Sequence, residues 1–316
     1  GLDTATTLSV TSRPIRIKDG RKGKVDAYIH KVWVTELQPG RQYAYRIEGP
    51  KITGRTHSFR TVPTRTDKAR FIVYGDTRTH PEIHRRLVQQ MIRIPDIDFI
   101  VHVGDLVTSG NRYEQWGTQH FEVVKGLAES VPMYVAKGNH EGSNGNFERL
   151  FNPPGTYNAY ALDFGPVHYY IAENAFKQKS VETRTMLNAI TRDAKASPST
   201  WKFVSYHVPS LNYGHHWSAW AYPDALPELA KANVDFVLSG HSHIYERFKP
   251  IAPPIHAAGS YVTYITTGGG GAPTHDVDKT DHHAIALRAY EFCLFEIEGP
   301  KLAMTVFDIT GRKIDD

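Results

Sequence analysis

The sequence predicts an α/β fold, with sheet layers covered by helices and a small all-β segment in front. Three observations carry this. From Arg70 onward, short apolar runs alternate with stretches of helical period, whereas only strand-like patterns precede that point. Most of the later runs also close on a polar residue of a type that binds metals or substrates. Of the 316 residues, 40% are apolar and 22% charged, which suits a packed core and excludes wholesale disorder.

Residues 1–63 read as β. HKVWVTEL (30–37) and YAYRIEG (43–49) lie around a QPGRQ turn (38–42), and HSFRTVP (57–63) follows. Residues 64–69, polar after Pro63, read as a linker, and 70–316 as a second, larger domain. Its strand candidates are FIVYGD (71–76), FIVHVGD (99–105), MYVAKGNHE (133–141), HYYIAEN (168–174), KFVSYHVP (202–209), DFVLSGHSH (235–243) and YVTYITTGGGG (261–271). Pro81 stands at a good first helical position. With Ile83, Leu87, Met91 and Ile94 at near-helical spacing, it predicts a helix over 81–94. Further helices are expected at 181–196 and 224–233, and strand alternation returns at 288–308.

Composition narrows the function. The single cysteine, Cys293, excludes an intramolecular disulfide framework and thiolate-rich metal sites. Seventeen histidines beside it mean that any metal is held by imidazole and carboxylate. A net charge of +4, with no Lys/Arg run of binding length, gives no reason to expect a nucleic-acid partner. No stretch approaches 18 consecutive apolar residues, so no membrane span is expected.

In open α/β sheets, sites form beyond the carboxyl ends of the strands. There the chain places Asp76, Asp105, Asn139 with His140, His207, then His241 and His243. Singly, each has a plain reading: a Gly-Asp is ordinarily a turn and a pair of histidines ordinarily surface. The ordered set of GD, GD, GNHE, a strand-end His and GHSH is a far stronger signal than any member.

That order resembles the calcineurin-like metallophosphoesterase superfamily. GDLVTSG…YEQWG, SVPMYVAKGNHE and GHSHIYER are most similar to its purple acid phosphatase branch. The resemblance implies a four-layer α/β/β/α sandwich for residues 70–316. Residues 30–63 resemble the fibronectin type III-like domain that precedes it in that branch. Such a sandwich needs about 90–100 residues, and residues 1–63 fall short, so an incomplete domain, with its opening strands missing or replaced, is expected.

The family roles, carried over by motif, imply two metal ions from Fe, Zn, Mn or Co. Asp76 would bind the first and Asp105 would bridge. Asn139, His207 and His241 would complete the second, and His243 would join the first. A metal-bound hydroxide would attack phosphorus in line, with His140 as general acid or charge stabiliser at the leaving oxygen.

Two positions depart from the pattern. Purple acid phosphatases carry a tyrosine three residues after the second aspartate; here it is Thr108, so no tyrosinate ligand is expected. Other metallophosphoesterases place a histidine two residues after the first aspartate; here it is Arg78. The first metal thus lacks a ligand. Either His84 or His80 takes the place, or that metal is weakly held or absent. Arg78 is itself a candidate phosphate clamp or a structural partner of Asp76 or Glu82. In the segment 211–224, His215 or His216 is a candidate phosphate contact, while Trp217 and Trp220 read as core, lid or stacking residues. Gly268–Gly271 is a close backbone approach, an anion nest or a plain loop.

The expected function is therefore metal-dependent hydrolysis of a small phosphorylated substrate, phosphomonoesters first. A diesterase or nucleotide hydrolase on the same site, a binding module with a degenerate catalytic domain, and a nuclease are the alternatives. The resemblance also implies export to the periplasm or the outside.

Overall fold

The computed structural model describes residues 11–20, 23–49, 52–151, 159–173, 181–214, 225–250 and 261–316. Six strands come first: β1 (Thr11–Asp19), β2 (Gly23–Lys31), β3 (Gln42–Tyr45), β4 (Glu48–Gly49), β5 (Ile52–Thr53) and β6 (His57–Arg60). They pair antiparallel as three two-stranded sheets, β1 with β2, β3 with β6 and β4 with β5. The β content expected of residues 1–63 is present, but HKVWVTEL is not one strand. β2 ends at Lys31, and Trp33 stands 88% exposed, with no facing strand among the described residues. This part rests on the larger one through the Tyr45 hydroxyl, which donates to the Glu129 carbonyl at 2.8 Å, and through Arg60, 3.2 Å from Asp96.

The larger part contains β7 (Lys68–Tyr74), α1 (Pro81–Ile92), β8 (Phe99–His102), α2 (Tyr113–Gln115), α3 (Glu122–Ala128), β9 (Met133–Val135) and α4 (Asn146–Phe151). After these come β10 (Tyr160–Phe164), β11 (Val167–Ile171), α5 (Val181–Ala196), β12 (Trp201–Ser205), α6 (Ala225–Lys231), β13 (Phe236–Ser239), β14 (Tyr245–Phe248) and β15 (Thr263–Thr267). The chain closes with β16 (His283–Leu287), β17 (Glu291–Glu298), β18 (Lys301–Asp308) and β19 (Lys313–Asp315). β7 begins at Lys68, so it takes up the end of the stretch expected to be a linker. The helix expected at 81–94 is α1, which starts at Pro81 as anticipated. The helical run from Tyr113 to Ala128 was not anticipated. Its middle, Trp116–Phe121, is wound as a π-helix, and Gly117 and Gly126 dilute an apolar period already shifted by the wider turn.

Two sheets face each other, in the orders β19-β18-β17-β7-β8-β9 and β10-β11-β12-β13-β15-β14-β16. Alternation along β7 shows how the layers form. Phe71 and Val73 point between the sheets, while Ile72 and Tyr74 point outward under α1 and α3. Phe71 stacks on Phe99 at 4.7 Å and on Phe295 at 5.1 Å, and meets Phe203 of the facing sheet edge-on at 5.1 Å. α5 and α6 cover the outer face of the second sheet through Leu187, Ile190 and Leu229 against Val204, Val237 and Tyr264. The layers therefore run α/β/β/α. β7, β8 and β9 are parallel, as are β11, β12, β13 and β15, so their carboxyl ends gather at one rim.

Candidate metal centre

Asp76 follows β7, Asp105 follows β8, Asn139 and His140 follow β9, His207 follows β12, and His241 and His243 follow β13. Asp76, Asp105 and His241 take left-handed backbone, with φ of 55°, 59° and 69°. A non-glycine residue in that region is strained and persists where its surroundings hold it. Here the loops hold one another. The Asp76 N–H donates to the Gly104 carbonyl at 2.9 Å, and Asp76 Oδ2 accepts the His241 N–H at 2.9 Å. The glycines beside the ligand-type residues allow this approach: a Cβ on Gly240 would run into Asp76 Oδ2, and one on Gly138 into Asp105.

Asp76, Asp105 and His207 offer ligand atoms that all lie within 4.8 Å of one another, and all three are buried. His207 Nδ1 faces the Val103 carbonyl at 2.8 Å, which fixes Nδ1 as the donor and leaves the Nε2 lone pair aimed inward. That lone pair meets Asn139 Oδ1 at 3.1 Å and Asp105 Oδ1 at 3.2 Å; His241 Nδ1 stands 2.9 Å from Asn139 Oδ1. Oxygen and nitrogen lone pairs turned towards one another call for a cation or a proton between them. Ligand atoms about 2.1 Å from one ion stand about 3 Å apart along adjacent octahedral directions, which is the spacing seen. The residues fit one metal ion here.

Without metal, the proton is the alternative. Burial opposes a charged His207, but the Asp105 and Asp76 carboxylates outweigh it and push the ring up to about 9. Asp105 is held well below the usual carboxylate range despite its burial, because His207 and His140 surround it. Asp76 moves the other way: burial and the Asp105 charge raise it well above the usual range, against His207 and Arg78. Its Oδ1 has no hydrogen-bond partner among the described residues.

The environment of His243 differs. Its Nδ1 donates to the Pro273 carbonyl at 2.9 Å, which turns Nε2 to the centre, 3.6 Å from Asp76 Oδ1. Burial and the Arg78 charge push its pKa down to about 3. The Nε2 lone pair accepts Arg78 Nη2 at 3.1 Å, and Arg78 Nε lies 3.4 Å from Asp105 Oδ2. Of the structural partners weighed for Arg78, neither Asp76 nor Glu82 is the one found. His140 borders the open side. Its Nδ1 donates to the Thr108 carbonyl at 2.7 Å, and Nε2 stands 3.8 Å from Asp105 Oδ2, with the ring 29% exposed.

His84 is not brought to the centre. It is fully buried, with Nδ1 on the Gln119 carbonyl at 3.2 Å and Nε2 on the Tyr74 hydroxyl at 3.1 Å, so both nitrogens are engaged under α1. The tilt towards the helix N-terminus carries it below the sheet end rather than over it. His80 pairs with Glu82 at 3.2 Å. The Thr108 hydroxyl donates to Gln119 at 3.1 Å. His215, His216, Trp217 and Trp220 lie outside the described residues. Gly268, Gly269 and Gly270 spend their N–H groups on the Ile244 carbonyl, Glu291 and the Gly75 carbonyl, so these three are a close backbone approach and not an anion nest.

Two positioning residues escaped the sequence reading. Glu141, fully buried, accepts the N–H groups of Asp105 (3.1 Å), Leu106 (2.8 Å) and Gly138 (2.7 Å). His102 accepts the Gly104 N–H at 3.1 Å and bonds the Thr77 hydroxyl at 3.0 Å, tying together the loops of Asp105 and Asp76. Membership of GNHE was the signal for Glu141. His102 left none, since a histidine inside an apolar strand resembles any buried polar residue.

The family model of calcineurin-like phosphoesterases matches residues 69–245, and the chain belongs to that family. It is similar to purple acid phosphatases. It is 31% identical over 269 residues to purple acid phosphatase 21 of Arabidopsis thaliana, covering 77% of this chain and 58% of that protein. It is 26% identical to a protein of the same plant named probable inactive purple acid phosphatase 24, covering 78% and 49%. The fold matches the purple acid phosphatase PPD1 of yellow lupin seeds with a TM-score of 0.80 at 18% identity, covering 97% of this chain and 65% of that one. The chain thus spans about half to two thirds of the length of these relatives.

Proposed function

We propose that this chain hydrolyses phosphate esters, phosphomonoesters first, with the aid of a divalent metal. The observation that carries the reading is the meeting of Asp105, Asn139 and His207 lone pairs at 3.1–3.2 Å beside the accessible ring of His140. Fe, Zn, Mn or Co suits this set of nitrogen and oxygen donors. A bound ion supplies Lewis acidity to the phosphate and to the attacking water.

The protein supplies the rest. Asp105, Asn139, His207 and His241 would hold the ion, and Asp76 and His243 lie beside them. Arg78 directs its guanidinium towards the same space, where it can take phosphate oxygens. His140 is oriented by the Thr108 carbonyl; protonated at Nε2, it can pass a proton to the leaving oxygen. The relatives named as phosphatases support a small phosphorylated substrate.

The name of one relative, together with Arg78 and Thr108 where ligands are expected, gives a second reading some footing, a binding protein with a degenerate centre. Turnover of paired nitrophenyl mono- and diesters, run with metal analysis and Asp105→Asn as control, separates the two. Monoester turnover that follows metal content and vanishes in Asp105→Asn supports the hydrolase. Metal-independent turnover, or none in the loaded protein, removes it.

A further inference from the structure

The family pattern calls for two metal ions, and the side chains around the first position do not fit one. An ion there needs Asp76, His243 and the second oxygen of Asp105. Two of these already face a guanidinium: Arg78 Nη2 is 3.1 Å from His243 Nε2, and Nε is 3.4 Å from Asp105 Oδ2. Arg78 is not a loose surface side chain. Its Nη1 donates to the Thr79 hydroxyl at 3.1 Å, its backbone N–H donates to the Asp105 carbonyl at 3.2 Å, and the side chain is 16% exposed.

Among the described residues weighed as a substitute ligand, none is turned to this position. His84 has both nitrogens engaged elsewhere, His80 pairs with Glu82, and the Thr108 hydroxyl is turned to Gln119. Beside a divalent ion, a fixed guanidinium adds like-charge repulsion to the competition for the same lone pairs.

We propose that the centre holds a single divalent ion, on Asp105, Asn139, His207 and His241, and that the Arg78 guanidinium is its second positive charge. With Asp76 and Asp105 ionised, one divalent ion and one guanidinium leave a net charge of about +1, still attractive to a phosphate ester. The guanidinium is a planar donor fork, so it binds phosphate oxygens without the Lewis acidity that a second ion would add. This inference rests on the hydrolase reading for its substrate but not for its metal count.

The count is the test. Metal-stripped protein is equilibrated with buffered Mn²⁺, and bound manganese is measured by elemental analysis and by anomalous diffraction. The wild type is expected to bind one ion per chain and to give one anomalous peak, with the electron-spin signal of an isolated Mn²⁺. Arg78→His removes the fixed charge, supplies an imidazole and should bind two ions; Arg78→Lys should stay at one. Two ions in the wild type, or one ion still in a folded Arg78→His protein, would overturn the proposal. The wild-type peaks decide it even if a variant fails to fold. A wild type with two ions that hydrolyses monoesters sinks this inference and leaves the proposed function standing. A wild type that binds no metal sinks both.

Discussion

The Glu141 carboxylate accepts the backbone N–H of Asp105 at 3.1 Å, so the loop carrying one ligand-type residue is held by the loop carrying another, Asn139. Both Glu141 oxygens are committed, one to Asp105 and Gly138 and the other to Leu106. In Glu141→Gln, an amide NH₂ must face at least one of these N–H groups. Leaving a buried donor unsatisfied costs about 1–3 kcal/mol, and ligand-orienting partners are worth about 10–100-fold in metal affinity. Glu141→Gln should therefore melt several degrees lower and bind Mn²⁺ at least tenfold more weakly. Titration calorimetry showing wild-type affinity would mean that the loops hold their geometry unaided.

Metal removal should destabilise the fold as well as silence the site. Asp76 and Asp105 are both buried and face each other's charge, and a bound cation relieves that repulsion. Saturation at about 100 times the dissociation constant adds about 2.7 kcal/mol by mass action. Chelation should lower the melting temperature of the holo-protein, and Mn²⁺ should restore it. In His207→Ala, the metal-dependent increment should largely vanish; an increment of wild-type size would place the ion elsewhere.

The layer order was legible because period-two alternation in FIVYGD and FIVHVGD gives each sheet a face, and the ligand-type residues were legible because they close those runs. The turn at Trp116–Phe121 was not, because a π-helix breaks the period by which helices are recognised. Nor was the fate of His84. Five residues past Asp76 and three past Arg78 begins a helix whose first turn points back, but only the packed structure shows that Tyr74 and Gln119 intercept the ring. Arg78 is legible as a departure from the pattern; that it faces His243 and Asp105 together depends on a contact across 165 positions.

His140 makes its contact to the chain through Nδ1 and leaves Nε2 to the open side. If that nitrogen protonates the leaving oxygen, its loss should depend on the leaving group. His140→Ala should lower kcat about 10²–10³-fold on an alkyl phosphate, with less loss on nitrophenyl phosphate, whose leaving oxygen needs little help. Metal content should be unchanged. Equal losses on both substrates would assign His140 to phosphate binding instead.

His120 is buried among His84, Phe121 and Phe151, and its Nδ1 makes no hydrogen bond among the described residues. Burial, with a smaller contribution from His84, pushes its pKa down to about 3. The ring is therefore neutral in the fold at any pH above that, whereas an unfolded histidine, near 6.5, binds a proton. The sign follows: above pH 6.5 neither state is charged and stability is intact. As pH falls below 6.5 the unfolded state gains the proton, and stability declines until the folded pKa is reached. Each unit of pH in that window is worth about 1.4 kcal/mol, so His120 alone withdraws on the order of 3 kcal/mol by pH 4. His120→Phe keeps the aromatic packing and removes the proton site. Buried carboxylates also titrate, Asp76 with its raised pKa in the opposite sense and Asp105 with its lowered one in the same sense, so the test is the difference between variant and wild type in denaturant unfolding from pH 7 to pH 4. The difference should be small at pH 7 and grow in favour of the variant towards pH 4. Parallel curves would show that His120 is not neutral in the fold, or that acid opens the structure elsewhere first.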